Sequence, residues 1–164
     1  MAQKAIEQAY HDHATQLWRG VYAVSGGRRD IADDAVAEAF ARAIEHAEQI
    51  RAPLPWLYRV ALREAAALLR KEQAGSDSQA VVHLDAHESV PNEALALLRT
   101  LSPKQRAVIF LFYYADFSIA DIARATGSSQ LAVRVQMYRA REALRQSYGS
   151  ATALREEMSP GGST

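Results

Sequence analysis

Between Leu101 and Gln146 the chain carries three helix-start signals in close succession, and their spacing leaves room only for short helices folded onto one another. Ser102 suits an N-cap, Pro103 suits the first turn, and Gln105 stands three residues after Ser102, where it completes a capping box. A helix is therefore predicted from about Pro103 to Ala115. Ser118 repeats the device with Asp121 at the third position, opening a second short helix that turns Ile119, Ile122 and Ala123 inward and stops at Gly127. Ser128 and Ser129 supply a turn and a cap, and a third helix is predicted from Gln130 to about Gln146. On it Val133, Met137, Ala140 and Leu144 recur at the spacing of one buried face.

The opposite face carries Gln130, Arg134, Tyr138, Arg141 and Arg145, a stripe of long donors able to reach base edges and phosphates in a major groove. Taken alone, such a stripe is as often a plain solvated face. Two features favour the other reading. A tight Gly-Ser-Ser turn joins this helix to a short capped one, as in a helix-turn-helix. Charge is also concentrated locally: Leu101 to Tyr148 holds seven Lys/Arg (Lys104, Arg106, Arg124, Arg134, Arg139, Arg141, Arg145) against three acids (Asp116, Asp121, Glu142), a net of +4 in a chain whose total is zero.

The remaining sequence contains no strand-type alternation, so an all-α class is expected for the 164 residues, arranged as two small helical domains joined by a linker. No cysteine is present, which excludes disulfides, thiolate zinc sites and thiol catalysis. No apolar run approaches a membrane span or a leader, so no membrane insertion and a cytoplasmic location are expected. The first helix is predicted from Ala5 to Val24, with Ile6, Ala9, Leu17, Val21 and Val24 as apolar positions, ended by Ser25-Gly26-Gly27. A second is predicted from Asp30 to about Gln49. Its apolar stripe is Ala32, Val36, Phe40, Ala43 and Ala47; Asp33, Asp34, Glu38, Arg42 and Glu45 form a mixed-sign outer face.

A third helix is predicted from Pro53 to about Glu72, with Leu57, Ala61, Ala65 and Leu68 inward and Trp56, Arg59, Arg63 and Arg70 outward. An aromatic ring among cations is the combination that stacks on bases and neutralises phosphates of single strands. Trp56 serves equally well as a core anchor, and Arg70 and Lys71 as plain charge complements to a helix end. From Gln73 to Asn92 the composition turns to Gly, Ser, Asp, His and Pro with a net charge of −3, which marks the linker, although Val81, Val82 and Leu84 are apolar enough to dock on a neighbour. Neither His83, Asp85 and His87 nor His11 and His13 make a ligand pattern, so no metal and no cofactor are expected. A short helix with Ala94, Leu95 and Leu98 follows the cap Asn92. The expected division is 1–72, linker 73–92, 93–148, and a disordered tail 149–164. No Ser-His-Asp set, paired carboxylate motif or phosphate-cradling glycine loop is visible, so an enzyme is not expected.

Over roughly residues 5 to 146 the chain resembles the bacterial sigma factors of the extracytoplasmic-function (ECF) type, in the sigma-70 family. Asp34 to Ala43 (DAVAEAFARA) is similar to that family's core-polymerase helix, with Glu38, Phe40, Arg42 and Ala43 in matching places. Pro53 to Lys71 is similar to its next segment through Trp56, Leu57, Tyr58, Arg59 and Ala61, and Leu101 to Arg145 resembles its promoter-reading domain almost throughout. The resemblance implies a region 2 that binds the β′ clamp helices of RNA polymerase through Asp34, Glu38, Phe40 and Arg42. The same region would melt and hold the −10 element through Trp56, Tyr58, Arg59, Arg63, Arg70 and Lys71. It implies a region 4 that reads the −35 element through Gln130, Arg134, Gln136, Tyr138, Arg139, Arg141 and Arg145 and docks on the β flap. An anti-sigma partner is implied as well.

The chain departs from the family's common pattern where an Asn and an Asp of the melting helix are Arg63 and Ala67, and where a Thr and an Arg of the recognition helix are Ala132 and Gln136. The last change marks Gln136 as a source of altered specificity. Residues 1–75 hold ten Lys/Arg and ten acids, so the first half lacks a basic excess. Two other functions remain open on sequence: a sigma-like decoy that sequesters an anti-sigma factor, and a helix-turn-helix regulator acting without polymerase. The acidic linker is a candidate for covering the basic surfaces in the free chain.

Overall fold

A computed structural model of the chain describes residues 1–75 and 92–158. The linker residues Asp77, Val81, Val82, His83, Leu84, Asp85, His87 and Glu88, and the expectations attached to them, lie outside the described residues.

Among the described residues seven α-helices account for the architecture, and there is no strand. The first unit comprises α1 (Ala2–Val24), α2 (Arg29–Glu45), a 3-10 turn (Ala47–Gln49) and α3 (Pro53–Gly75). The second comprises α4 (Asn92–Arg99), α5 (Pro103–Tyr113), α6 (Ile119–Thr126) and α7 (Gln130–Met158). Alanine sets the spacing in the first unit. Ala32, Ala35, Ala39 and Ala43 of α2 and Ala61 and Ala65 of α3 are buried, so backbones approach closely around the larger Leu17, Val21, Ile31 and Leu57. Arg28, just before α2, donates to both Asp30 (2.7 Å) and Glu72 (2.6 Å), tying the end of α3 to the start of α2. The guanidinium holds both carboxyls below the usual carboxylate range.

The second unit forms through its caps. The Ser102 hydroxyl accepts from the Gln105 backbone N–H at 3.3 Å while the Gln105 side chain accepts from the Ser102 N–H at 3.1 Å, the reciprocal box expected. Ser118 accepts from the Asp121 N–H at 3.1 Å, and Ser129 from the Ala132 N–H at 3.1 Å. Gly127 ends α6 at φ 65°, a conformation that favours glycine, and this single residue sets the angle at which α7 leaves. Val133, Met137 and Ala140 are buried as expected and Leu144, the fourth residue of that row, is half-buried; through this face α7 packs on α4, α5 and α6. Several boundaries differ. Helix α1 starts at Ala2 rather than Ala5, α2 ends at Glu45 with a separate 3-10 turn covering Ala47–Gln49, α5 ends at Tyr113 rather than Ala115, α3 runs to Gly75 rather than Glu72, and α7 continues to Met158, well past Gln146 and into the segment expected to be disordered. The sequence there is rich in Ala, Leu, Arg and Glu, which favour helix and need no tertiary partner to prolong one already nucleated.

The two units share one hydrophobic core. Helix α3 packs on α6 and α1 on α5, and buried residues run without a break from Ile6 to Ala140. Asp116 at φ 56° turns the chain after α5 and delivers Phe117, whose ring meets Tyr58 of α3 edge-on at 5.3 Å.

Candidate nucleic-acid interface

The outward surface of α7 carries most of the residues expected to meet duplex DNA. Gln130, Arg134, Tyr138, Arg139, Arg141 and Arg145 are exposed. They are not equally presented. The Arg141 Nε donates to the Tyr113 hydroxyl at 2.9 Å and its guanidinium lies over the Phe112 and Tyr113 rings at 5.6 Å. Arg145 pairs with Glu142 at 2.5 Å. Both are thus occupied within the chain. Arg134 and Arg139 have no hydrogen-bond or ion-pair partner among the described residues and extend from the first half of α7, nearest its capped end.

Gln136 stands elsewhere. It is half-buried and lines the cleft between the two units instead of the outward stripe. The residues that sequence reasoning missed are Leu131 and Val135, which are 70% and 40% exposed and share the outward face with Tyr138. Their signal was present, since 131, 135 and 138 fall at i, i+4 and i+7, an apolar row beside the basic one. Exposed aliphatic groups on a groove-reading helix are suited to thymine methyls, which polar side chains do not discriminate.

On α3, Arg59, Arg63, Arg70 and Lys71 are exposed and Trp56 is half-buried, packed against the core along one edge. Tyr58 is different: it is 0% exposed and cannot meet nucleic acid in this arrangement. It lies at i, i+3 and i+7 with Ala61 and Ala65 on the buried face. Its hydroxyl is without a hydrogen-bond partner among the described residues, and burial pushes its ionisation well above the ordinary tyrosine value. A buried hydroxyl without a partner costs about 1–3 kcal/mol. Tyr58→Phe is therefore expected to raise the thermal midpoint by at least about 2 °C. A lower midpoint in a melting curve would mean that the hydroxyl is satisfied after all.

The residues expected to meet polymerase cluster on α2. Asp34 is exposed, and Arg42 bridges Glu38 of its own helix at 2.6 Å and Glu64 of α3 at 3.6 Å. Phe40 departs from the expectation: it is 7% exposed, and its ring meets Tyr10 edge-on at 5.0 Å. It is a core residue that supports the surface made by its neighbours. Among the described residues no group of three or more His, Asp and Glu side chains could hold a metal ion, and no helix is long and apolar enough to cross a membrane.

Between the units lies a cleft of about 480 Å3. Arg59, Arg63 and Arg70 of α3 line it together with Lys104 of α5, and no carboxylate does among the described residues. A second, shallower recess joins Arg59 and Arg124 to Ser128, Ser129 and Gln130 at the capped start of α7.

The same arrangement recurs among known proteins. Residues 9–75 match the family model Sigma-70 region 2, and residues 92–144 match Sigma-70, region 4. Over 162 residues the chain is 32% identical to the ECF RNA polymerase sigma factor SigL of Mycobacterium tuberculosis, covering 88% of this chain and 89% of that protein. It is 25% identical over 150 residues to the RNA polymerase sigma factor SigV of Bacillus subtilis, covering 82% and 85%. Its fold is similar to the sigma factor RpoE of Bartonella quintana in complex with the anti-sigma factor NepR (TM-score 0.71, 22% identity, 87% of this chain and 96% of that one). It is also similar to CnrH in complex with the cytosolic domain of CnrY (TM-score 0.66, 23% identity, 90% of each). Matched in both regions and along most of its length, the chain belongs to the sigma-70 family as a sigma factor of the ECF type.

Proposed function

We propose that this chain binds core RNA polymerase and directs it to promoters, residues 1–72 holding the β′ clamp helices and the −10 element and residues 93–148 reading the −35 element and docking on the β flap. The observation that carries the reading is the start of α7. Its cap, the left-handed Gly127 before it and the short α6 make a rigid support, and Arg134 and Arg139 extend from it without partners among the described residues. Leu131, Val135 and Tyr138 add apolar contacts on the same face. Arg59, Arg63, Arg70, Lys71 and Trp56 of α3 are of the type that holds separated strands. Polymerase supplies the chemistry and this chain the specificity, acting in the cytoplasm and without a cofactor. An anti-sigma factor is the natural inhibitory partner, a reading supported by the two sigma factors of similar fold that were solved with theirs.

Run-off transcription with purified core enzyme and genomic templates tests the assignment. Core plus this chain should start at a definable promoter set that core alone ignores. A core enzyme neither bound nor redirected overturns it. Capture of an anti-sigma protein with no polymerase would favour a decoy instead, and a footprint on a palindrome without polymerase would favour an independent regulator.

A further inference from the structure

Helix α7 is apolar on two sides over its first three turns, and only one of them is covered. Val133, Met137 and Ala140 are buried, whereas Leu131, Val135 and Tyr138 project to solvent. Among the described residues Ala132, Val133 and Gln136 line the cleft between the units, and Leu131, Val135 and Tyr138 do not. Nor do Leu131 and Val135 belong to the hydrophobic core or pack against it. A single exposed leucine is ordinary; three large apolar groups on one row of one helix mark a contact surface.

The surroundings of the row decide what it contacts. From Gln130 to Arg141 there is no acid, and Arg134 and Arg139 have no hydrogen-bond or ion-pair partner among the described residues. Arg134 shares the face of Leu131 and Val135, three residues after the first and next to the second. An uncharged protein patch would leave those arginines unpaired. A duplex offers them phosphates and guanine edges, and its major groove offers the aliphatic side chains one apolar group, the C5 methyl of thymine. Spacing adds a constraint. Four residues along a helix advance about 6 Å, and stacked base pairs lie about 3.4 Å apart, so Leu131 and Val135 reach bases one or two pairs apart.

We propose that Leu131 and Val135 read C5 methyl groups in the −35 element, on bases one or two pairs apart, with Arg134 taking the guanine edge or phosphate beside them. The inference rests on the promoter-reading role proposed above and specifies which part of the element is read by apolar contact. A cytosine methylated at C5 carries the same group at the same place in the groove, so methylation of a cytosine at either position strengthens recognition there.

Holenzyme assembled from core polymerase and the full chain is used to select active promoters from a library with a randomised −35 element. The preferred element should contain thymines, on either strand, one or two base pairs apart. Replacing each singly by deoxyuridine removes the methyl and keeps every hydrogen-bonding group. Initiation should fall about fourfold at each, the scale of one methyl returned to water, and deoxyuridine outside the element should change nothing. Cytosine at either position should gain by about the same factor when 5-methylated. Leu131→Ala should lose the response at one position and Val135→Ala at the other, each keeping its neighbour's response. Both residues are exposed and alanine favours helix, so both variants fold. No preferred element, one without thymine, or one indifferent to deoxyuridine overturns the inference and leaves polymerase redirection in place. Alanine variants that lose activity equally on thymine and deoxyuridine templates also overturn it, assigning the row to a protein surface. No initiation above that of core alone overturns the promoter-reading role, and this inference with it.

Discussion

Arg134→Ala is expected to lower initiation from −35-dependent promoters by about 10- to 100-fold, because one good base-edge contact is worth about 1–3 kcal/mol. Its position makes this substitution cleaner than its neighbours. Arg134 is exposed on the first half of α7 and has no partner among the described residues, so its removal breaks no internal bond. Arg141→Ala, by contrast, would also free the Tyr113 hydroxyl and uncover the Phe112 ring. The measurement is run-off transcription from a promoter with its −35 element intact and from the same promoter with that element scrambled. The loss should be confined to the intact element. An equal loss on both templates would assign Arg134 to general phosphate attraction, and no loss on either would remove it from the interface.

Much of the second unit was readable because its determinants are local. A capping box needs two residues three apart, and Ser102 and Gln105 form it as expected; the Gly127 stop needs one residue able to hold a positive φ. Helical periodicity likewise identified the buried rows of α1, α2 and α7. It identifies a face and leaves open what covers that face. Gln136 was placed among base readers by its family position, yet the docking of α3 puts it in a cleft. Tyr58 was assigned to single strands by its family position, but Ala61 and Ala65 on the same row already marked that side as inward. That two halves linked through the acidic residues 73–92 share one core follows from Phe117, Arg99 and Arg106, whose partners are distant in the chain. No window of local sequence contains both sides of those contacts. The helical extension to Met158 was missed for the opposite reason: its low apolar content was read as inability to fold, whereas a helix nucleated by α7 needs only favourable propensity to continue.

Phe40 brings the two kinds of reasoning into direct conflict, and its truncation is expected to have the largest effect on stability. Its place in the row Ala32, Val36, Phe40, Ala43 marks it as core, while family position marks it as a polymerase contact. At 7% exposure and edge-on to Tyr10, it presents little surface to a partner. Phe40→Ala should cost about 3–5 kcal/mol, the usual penalty for deleting a buried ring, and should lower the denaturation midpoint before any question of binding arises. Core affinity would then fall because less of the chain is folded. Glu38→Ala separates the two effects, since Glu38 is half-buried at the surface and its pairing with Arg42, an exposed i,i+4 bridge, contributes only a few tenths of a kcal/mol. If α2 is the polymerase surface, Glu38→Ala lowers core affinity at unchanged stability, whereas Phe40→Ala lowers both and recovers affinity at temperatures where it is folded. Wild-type affinity in Glu38→Ala together with full recovery in cold Phe40→Ala would remove Glu38 and Phe40 from the polymerase contact. The remaining candidates on the helix would then be Asp34 and Arg42, one turn to either side of Glu38 and both exposed.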